Sequence, residues 1–374
     1  MDKNKKVGVL KIFSFFSGCG FLDLGFESAG YEIEAVNEFS ASFLSAYKYS
    51  RRNMDYPEPV NGYFNCDVND FLGEKSKELK DYISNARKDG SLVGFIGGPP
   101  CPDFSIAGKQ RGRNGDNGKL SLSYVELIIK HKPDFFLFEN VKGLWSTAKH
   151  REYYNDLKDM LSSSGYMMID RMTNALEFGV AQDRDRVLLI GISNNTIKKY
   201  GYDLSNFPWT KYMKYSMDEI RNIPWPDMDD FVIDGERNIP DGIPRELTVE
   251  YWFERNDVNN HPDRDKYFIP RAGLDKMLVI PEGDSNKKSY KRLHRWRYSP
   301  TAAYGNNEVH LHPYKARRLS VAECLAIQSL PRDFSLPPEM SKSDSFKTIG
   351  NGVPYLLSYG IARTLKDFLE KNYE

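Results

Sequence analysis

The chain has 374 residues, and its 52 Lys and Arg balance 52 Asp and Glu to a formal net charge of zero. Apolar content of 40% and charged content of 28% are ordinary for a globular protein of about two domains, with 22 Phe and 23 Tyr to supply a core. The neutral balance offers no global argument for a nucleic-acid partner, and no apolar stretch is long enough to span a bilayer, so partners must be read from local patches.

At the N-terminus, Lys3, Lys5 and Lys6 precede Val7–Phe16 in imitation of a signal peptide. Lys11 interrupts the run and no small-residue cleavage site follows, so a first β-strand is expected. The strand ends in Phe16-Ser17-Gly18-Cys19-Gly20, a glycine turn of the kind that lets backbone approach a nucleotide-like ligand. Glu38 closes the next apolar run, where an acid can grip ribose hydroxyls, and Asp67 is placed at a third strand end. A dinucleotide fingerprint wants a third glycine where this chain has Asp23, so a ligand with ribose and adenine but no phosphates, such as S-adenosylmethionine, fits better. A mere tight turn is the alternative.

The run Leu92–Ile96 leads into Gly97-Gly98-Pro99-Pro100-Cys101-Pro102-Asp103-Phe104-Ser105. The prolines bar helix at the residues before them and hold Cys101 on a stiff turn at a strand end, as a nucleophile needs. A buried structural cysteine is the bland alternative. Gly108–Gly118 reads as a lid hinged at Gly108, Gly112, Gly115 and Gly118, with Lys109, Arg111 and Arg113 free for phosphates, or else as a plain surface loop. Phe135–Phe138 ends in Glu139-Asn140-Val141, where the acid is either a cleft carboxylate or a helix cap. In Gln182-Asp183-Arg184-Asp185-Arg186, an extended chain puts Gln182, Arg184 and Arg186 on one face, suited to an anion or a carbonyl oxygen; an ion-pair ladder with the aspartates competes. Helical segments at Ser40–Tyr49, Leu122–Lys130 and Tyr153–Ser163 alternate with the apolar runs, predicting an α/β domain with a mainly parallel sheet.

From 194 the texture changes: prolines become frequent and helical periodicity fades. An acidic stretch, Asp227 to Asp241, is followed by a basic-aromatic one holding Lys287, Lys288, Lys291, Arg292, Arg295 and Arg297, read as a phosphate or base contact or as a solvated charged face. Helical pattern returns at Val321–Ser329, with Ser320 and Glu323 as a capping box, and at Tyr355–Leu369 after the turn Gly350-Asn351-Gly352-Val353-Pro354. The expected organisation is a catalytic domain over 1–193, completed by 344–374, around an irregular domain over 194–343. Four scattered cysteines without a CxxC or Cys/His cluster point away from a zinc site or disulfide framework, leave no metal site, and suit a reducing cytoplasm.

Taken in order, FSGCG, Asn37-Glu38, Asp67, GGPPCPDFS, ENV, QDRDR, RRLSVAECLAIQSLP and GNGVP resemble the DNA (cytosine-5)-methyltransferase family. Pro102 departs from the Gln that many members carry after the cysteine. The resemblance implies a Rossmann-like S-adenosylmethionine-dependent methyltransferase domain, with residues 194–343 as a smaller target-recognition domain. It implies that Cys101 adds to carbon 6 of a cytosine flipped out of double-stranded DNA, that Glu139 holds a proton at nitrogen 3 with its pKa raised by burial, and that Arg184 and Arg186 hold the base carbonyl, the thiolate environment and nearby phosphate. It places Phe16, Gly18, Gly20, Glu38, Asp67, Pro99 and Asn351 around the cofactor, and Ser105, Lys109, Arg111, Arg113, Lys288, Lys291, Arg292, Arg295 and Arg297 on DNA.

The expected setting is a bacterial cytoplasm, at the nucleoid, with a monomer protecting host DNA beside a cognate restriction endonuclease. An RNA-directed member, a non-catalytic DNA binder and a nicotinamide dehydrogenase are the competing readings. The RNA branch's Cys-Phe-Thr tripeptide is absent, a binder has no need of an activated thiol, and the missing third glycine disfavours the dehydrogenase.

Overall fold

The computed structural model describes residues 7–100, 116–269, 273–286, 290–302 and 309–371. Seven strands form one sheet in the order β3-β2-β1-β4-β5-β7-β6. They are β1 (Leu10–Phe15), β2 (Glu32–Asn37), β3 (Tyr63–Phe64), β4 (Leu92–Gly97), β5 (Phe135–Val141), β6 (Tyr166–Asn174) and β7 (Asp185–Ser193). The first five run parallel; β7 inserts antiparallel between β5 and β6. This is the Rossmann-like methyltransferase architecture expected from the sequence.

The central strands are apolar along their whole length because helices cover both faces. One face packs Ile12, Ile96, Leu137 and Ile190 against Phe26, Leu357, Ile361 and Leu365. These come from α1 (Phe21–Ser28) and α13 (Tyr355–Glu370). The other face packs Phe13, Phe95, Phe136 and Leu189 against Leu79, Tyr124 and Leu157, which sit on α3 (Ser76–Ala86), α4 (Asp116–His131) and α6 (Ala148–Ser163). Gly94 and Gly191 occur inside strands because the rings of Phe135 and Phe136 occupy the space a β-carbon would need.

The last helix packs back against the N-terminal elements: the Tyr31 hydroxyl donates to the Ala362 carbonyl at 3.0 Å, and the Ser358 hydroxyl donates to the Leu22 carbonyl. Within 194–343, α11 (Val321–Ile327) begins at the capping box read from Ser320 and Glu323. Its buried residues share one cluster with Phe21 and Leu24 of α1 and Phe43 of α2 (Ala41–Asn53), and with Trp252 and Phe253 of α9 (Val249–Arg255). The remaining helices are α5 (Lys142–Ser146), α7 (Asn194–Tyr200), α8 (Met217–Asn222), α10 (Leu274–Leu278) and α12 (Lys342–Asn351). Gly350 and Asn351, read as turn residues, form the last turn of α12. Gly118, read as a hinge, lies in the first turn of α4, whereas Gly108, Gly112 and Gly115 lie outside the described residues. No described helix is long and apolar enough to cross a membrane.

Candidate active site

The strand order reverses between β1 and β4, and in open parallel sheets ligands settle in the crevice that such a reversal leaves beyond the carboxyl ends of the strands. The glycine turn follows β1, Glu38 follows β2, and the Gly98-Pro99-Pro100 stem follows β4. The fold therefore gathers at one edge Phe16, Gly18, Gly20, Glu38 and Pro99, which the sequence places around a cofactor.

The glycine turn is bent through three left-handed residues, Phe16 (φ 55°), Gly18 (φ 57°) and Gly20 (φ 82°). Phe16 is not a glycine, and a bulky residue held there stores backbone strain of a kind found at ligand sites. Its ring meets Tyr124 edge-on at 6.0 Å. The Glu38 carboxylate accepts the Gly18 N–H and the Ser40 N–H, each at 2.8 Å. Burial raises its pKa against those backbone donors. A carboxylate at the lip of the crevice, with no phosphate-binding third glycine, suits a nucleoside with free ribose hydroxyls, and so S-adenosylmethionine. Asp67 caps a short turn through the Asn69 N–H at 2.8 Å, and the Asn37 amide, donating to the Cys66 carbonyl at 2.9 Å, ties that segment to β2. Asn351 is exposed at the end of α12.

On the other side of the reversal lie β4 and β5. Glu139 is 7% exposed at the end of β5. Arg186 opposes Val141 across the β5–β7 pair, and its Nε reaches diagonally to 2.7 Å from Glu139 Oε1. Burial raises the Glu139 pKa; the Arg186 and Arg184 charges pull it the other way. The net rise is the direction the sequence reading required. Pro99 is buried, and its carbonyl accepts from the Asn140 amide at 3.4 Å, so the turn leading to Cys101 is fastened to the strand end that carries Glu139. A β-carbon on Gly98 would lie 2.5 Å from Glu139 Oε2. Gly98 and Asn140 are functional neighbours that the sequence reading did not single out, although both stand inside runs it quoted.

Cys101 itself, with Ser105, Lys109, Arg111 and Arg113, lies outside the described residues, as does Lys288. Two of the other cysteines are poor nucleophiles: burial pushes the Cys19 thiol up to about 12 and the Cys66 thiol up to about 11. Cys324 is fully buried.

Gln182, Arg184 and Arg186 are all buried while Asp183 and Asp185 are half-buried, which is the expected alternation. The role of Arg184 differs from the sequence reading. Its guanidinium donates to the Gly350 carbonyl at 2.6 Å, the Gly352 carbonyl at 2.9 Å and the Ala302 carbonyl at 3.2 Å. Its Nη1 and Nη2 groups tie the end of α12 and the segment at Ala302 to the start of β7.

The basic-aromatic stretch needs a larger correction. Arg292 is fully buried, donates to the carbonyls of Ile280, His312 and Met277, and lies 3.6 Å over the Phe231 ring. Arg295 makes a two-pronged pair with Glu282 at 2.8 and 2.9 Å, also donates to the Gly235 carbonyl, and stacks 4.3 Å over Tyr314. Both are internal struts of a region short of regular secondary structure, where backbone carbonyls must find donors elsewhere. Neither is placed to meet phosphate. Lys291 and Arg297 are half-buried, and Arg297 lies 5.4 Å from the Tyr298 ring centre.

Comparison with known proteins finds relatives along nearly the whole chain. A model of C-5 cytosine-specific DNA methylases matches residues 10–367. The chain is 56% identical over 364 residues to type II methyltransferase M.NmeDI of Neisseria meningitidis serogroup C, covering 97% of this chain and 85% of that protein. It is 30% identical over 371 residues to type II methyltransferase M.FnuDI of Fusobacterium nucleatum, covering 96% and 95%. A putative DNA modification methyltransferase encoded within an Escherichia coli prophage superposes with a TM-score of 0.66 at 22% identity, over 96% of this chain and 99% of that one, a likeness of fold.

Proposed function

The chain belongs to the C-5 cytosine-specific DNA methylases and is an S-adenosylmethionine-dependent DNA methyltransferase; from that premise we propose the residue roles and the setting in which it acts. S-adenosylmethionine supplies the electrophilic methyl group when bound. The Phe16–Gly20 turn, Glu38, Asp67, Pro99 and Asn351 would hold it, with Glu38 placed to accept from the ribose hydroxyls.

Carbon 5 of cytosine is too poor a nucleophile to take a methyl group unaided. The Cys101 thiolate adds to carbon 6 of a cytosine flipped out of the duplex, and the displaced electron pair makes carbon 5 enamine-like. Charge gathers on nitrogen 3 and the ring oxygen. Glu139 holds its proton at nitrogen 3, and Arg186 orients Glu139 and offers its remaining N–H groups to the ring oxygen. Loss of the carbon 5 proton after methylation restores the double bond and expels the thiolate. Arg184 acts at one remove, by fixing β7 against the end of α12. The observation that carries these roles is the Glu139–Arg186 pair at 2.7 Å, buried against the stem that leads to Cys101.

The substrate is double-stranded DNA, and the protein acts where that DNA lies, in the bacterial cytoplasm at the nucleoid. Both curated relatives above are named type II methyltransferases, which supports a modification role beside a cognate restriction endonuclease. One chain carries every role assigned here, so a monomer suffices.

Expression in a methylation-free host, followed by bisulfite sequencing of its DNA, tests the reading. One cytosine in one short sequence is expected to be fully protected. No protected cytosine, with folded protein present, would overturn it, and transfer RNA with labelled S-adenosylmethionine would be the next substrate to try.

A further inference from the structure

A buried arginine grips the glycine turn from behind. Arg51, on α2, is 1% exposed, and its Nη2 donates to the Gly20 carbonyl at 2.6 Å. Its Nε pairs with Glu27 of α1 at 2.7 Å, and its guanidinium lies 4.4 Å over Tyr47 and 5.9 Å from Tyr56. Asp23, also on α1 and fully buried, takes the Ser14 hydroxyl at 2.9 Å and faces the same charge.

Gly20 completes the arrangement. A β-carbon there would lie 2.5 Å from the Tyr47 ring and 2.8 Å from Arg51 Nη2. The absence of a side chain at Gly20 therefore lets α2 close on the turn. The opposite end of the turn is tied to the same neighbouring segment, since Gly18 donates to Glu38 and Ser17 donates to the Asn37 carbonyl through both its N–H, at 3.2 Å, and its hydroxyl, at 3.1 Å. The turn is thus pinned at Gly18 by Glu38 and at Gly20 by Arg51.

A guanidinium is an expensive way to fill space. Taking charge out of water costs several kcal/mol, and well-packed apolar residues of like volume are often as stable or more so. What the guanidinium adds is direction: a planar fork that holds one carbonyl and one carboxylate at once. We propose that Arg51 is the positioning residue of the cofactor turn, holding the Gly20 carbonyl so that Phe16, Gly18 and Glu38 stay in register for the nucleoside, with Glu27 and Tyr47 holding Arg51. The inference rests on the reading of this turn as the S-adenosylmethionine site.

The test is calorimetric binding of S-adenosylhomocysteine to the full-length protein, to Arg51→Gln and to Arg51→Lys, together with kcat and the KM for S-adenosylmethionine. Both variants are expected to bind about tenfold more weakly or worse, as loss of a buried charge-assisted hydrogen bond implies, with kcat at saturating cofactor nearly unchanged. Lysine keeps the positive charge beside Glu27 but cannot hold both partners, so it serves if the glutamine variant fails to fold. Parental affinity in the lysine variant, or equal losses in kcat and affinity, would overturn the proposal. Failure of the unsubstituted protein to bind the nucleoside would overturn the cofactor assignment itself, and this role with it.

Discussion

Gly98 and Glu139 touch across adjacent strands so closely that a single methyl group on Gly98 would stand 2.5 Å from Glu139 Oε2. Gly97 pairs with Phe138 in the β4–β5 register, so the two residues are the next pair out, at the lip of the crevice. The substitution Gly98→Ala is expected to push the carboxylate away from Arg186 and out of line with the base. Misplacement on the scale of an ångström costs on the order of a hundredfold in rate. Single-turnover methylation should show that loss while binding of S-adenosylhomocysteine stays at the parental level. A parental rate would mean that the carboxylate has freedom the geometry denies it.

The pH dependence of the rate follows from the same carboxyl. Burial raises the Glu139 pKa, and the role proposed for it needs the protonated form. The protonated fraction falls as pH rises through that raised value, so the rate should fall on the alkaline side. Glu139→Gln can still donate to nitrogen 3 without titrating, so its weaker activity should lose that limb. In Arg186→Ala, removal of the opposing charge should move the limb to higher pH. A limb that persists in the glutamine variant would assign the titration to another group.

Arg184 is fully enclosed and serves three carbonyls from two segments distant in sequence. Truncation to alanine strands these acceptors, at about 1–3 kcal/mol for each group left unpaired. Arg184→Ala is therefore expected to lower the melting temperature markedly. Arg184→Lys should fold, yet show a higher KM for S-adenosylmethionine, because Asn351 lies between two of the carbonyls the guanidinium holds. Full stability in the alanine variant would show that the clasp is dispensable.

Much of the site was legible because it is written in short runs at strand ends. The apolar runs ending at Phe16, Ile96 and Phe138 have both faces covered, so they stand out from the polar sequence around them. The edge strand β6 escaped notice because Glu139's neighbour β7 covers only one of its sides, and its sequence Tyr166–Asn174 mixes Met, Asp and Arg without clear alternation. Helix α12 escaped because its last turn carries Gly350 and Asn351, residues that signal turns in isolation. The arginines of the basic stretch misled for a different reason. Composition shows charge but not what neutralises it, and Glu282, which pairs with Arg295, stands 13 residues away outside any local pattern. The carbonyls that occupy Arg292 leave no trace in sequence at all.

That correction can be measured on DNA. A residue that meets a phosphate contributes about one unit to the slope of log affinity against log salt concentration. Arg297→Ala is expected to lower that slope, since its side chain is half-buried and, among the described residues, donates no hydrogen bond and only approaches Tyr298. Arg295→Ala is expected to leave the slope unchanged and to lower thermal stability, because it removes the two-pronged guanidinium partner of the fully buried Glu282 carboxylate and leaves it only the residue 295 N–H and Arg237 at 3.6 Å. A slope change in the Arg295 variant without loss of stability would return Arg295 to the DNA-contacting set.

The acids around Arg51 should make stability depend on pH in an unusual direction. Burial pushes the Glu27 carboxyl up to about 7 and the Asp23 carboxyl up to about 6, with the Arg51 charge opposing both. Their ordinary values are 4.5 and 3.8, so between about pH 4 and 7 the folded protein binds more protons here than the unfolded chain does. The contribution of these groups is full below the unfolded values and is lost as pH rises through the folded ones, by up to about 1.4 kcal/mol per pH unit for each proton involved. Glu27→Gln removes the larger titration, and melting curves recorded between pH 5 and 8 should show a flatter dependence than those of the parent. An unchanged slope in that variant would mean that Glu27 stays ionised beside Arg51 throughout, and that Asp23 alone carries the proton.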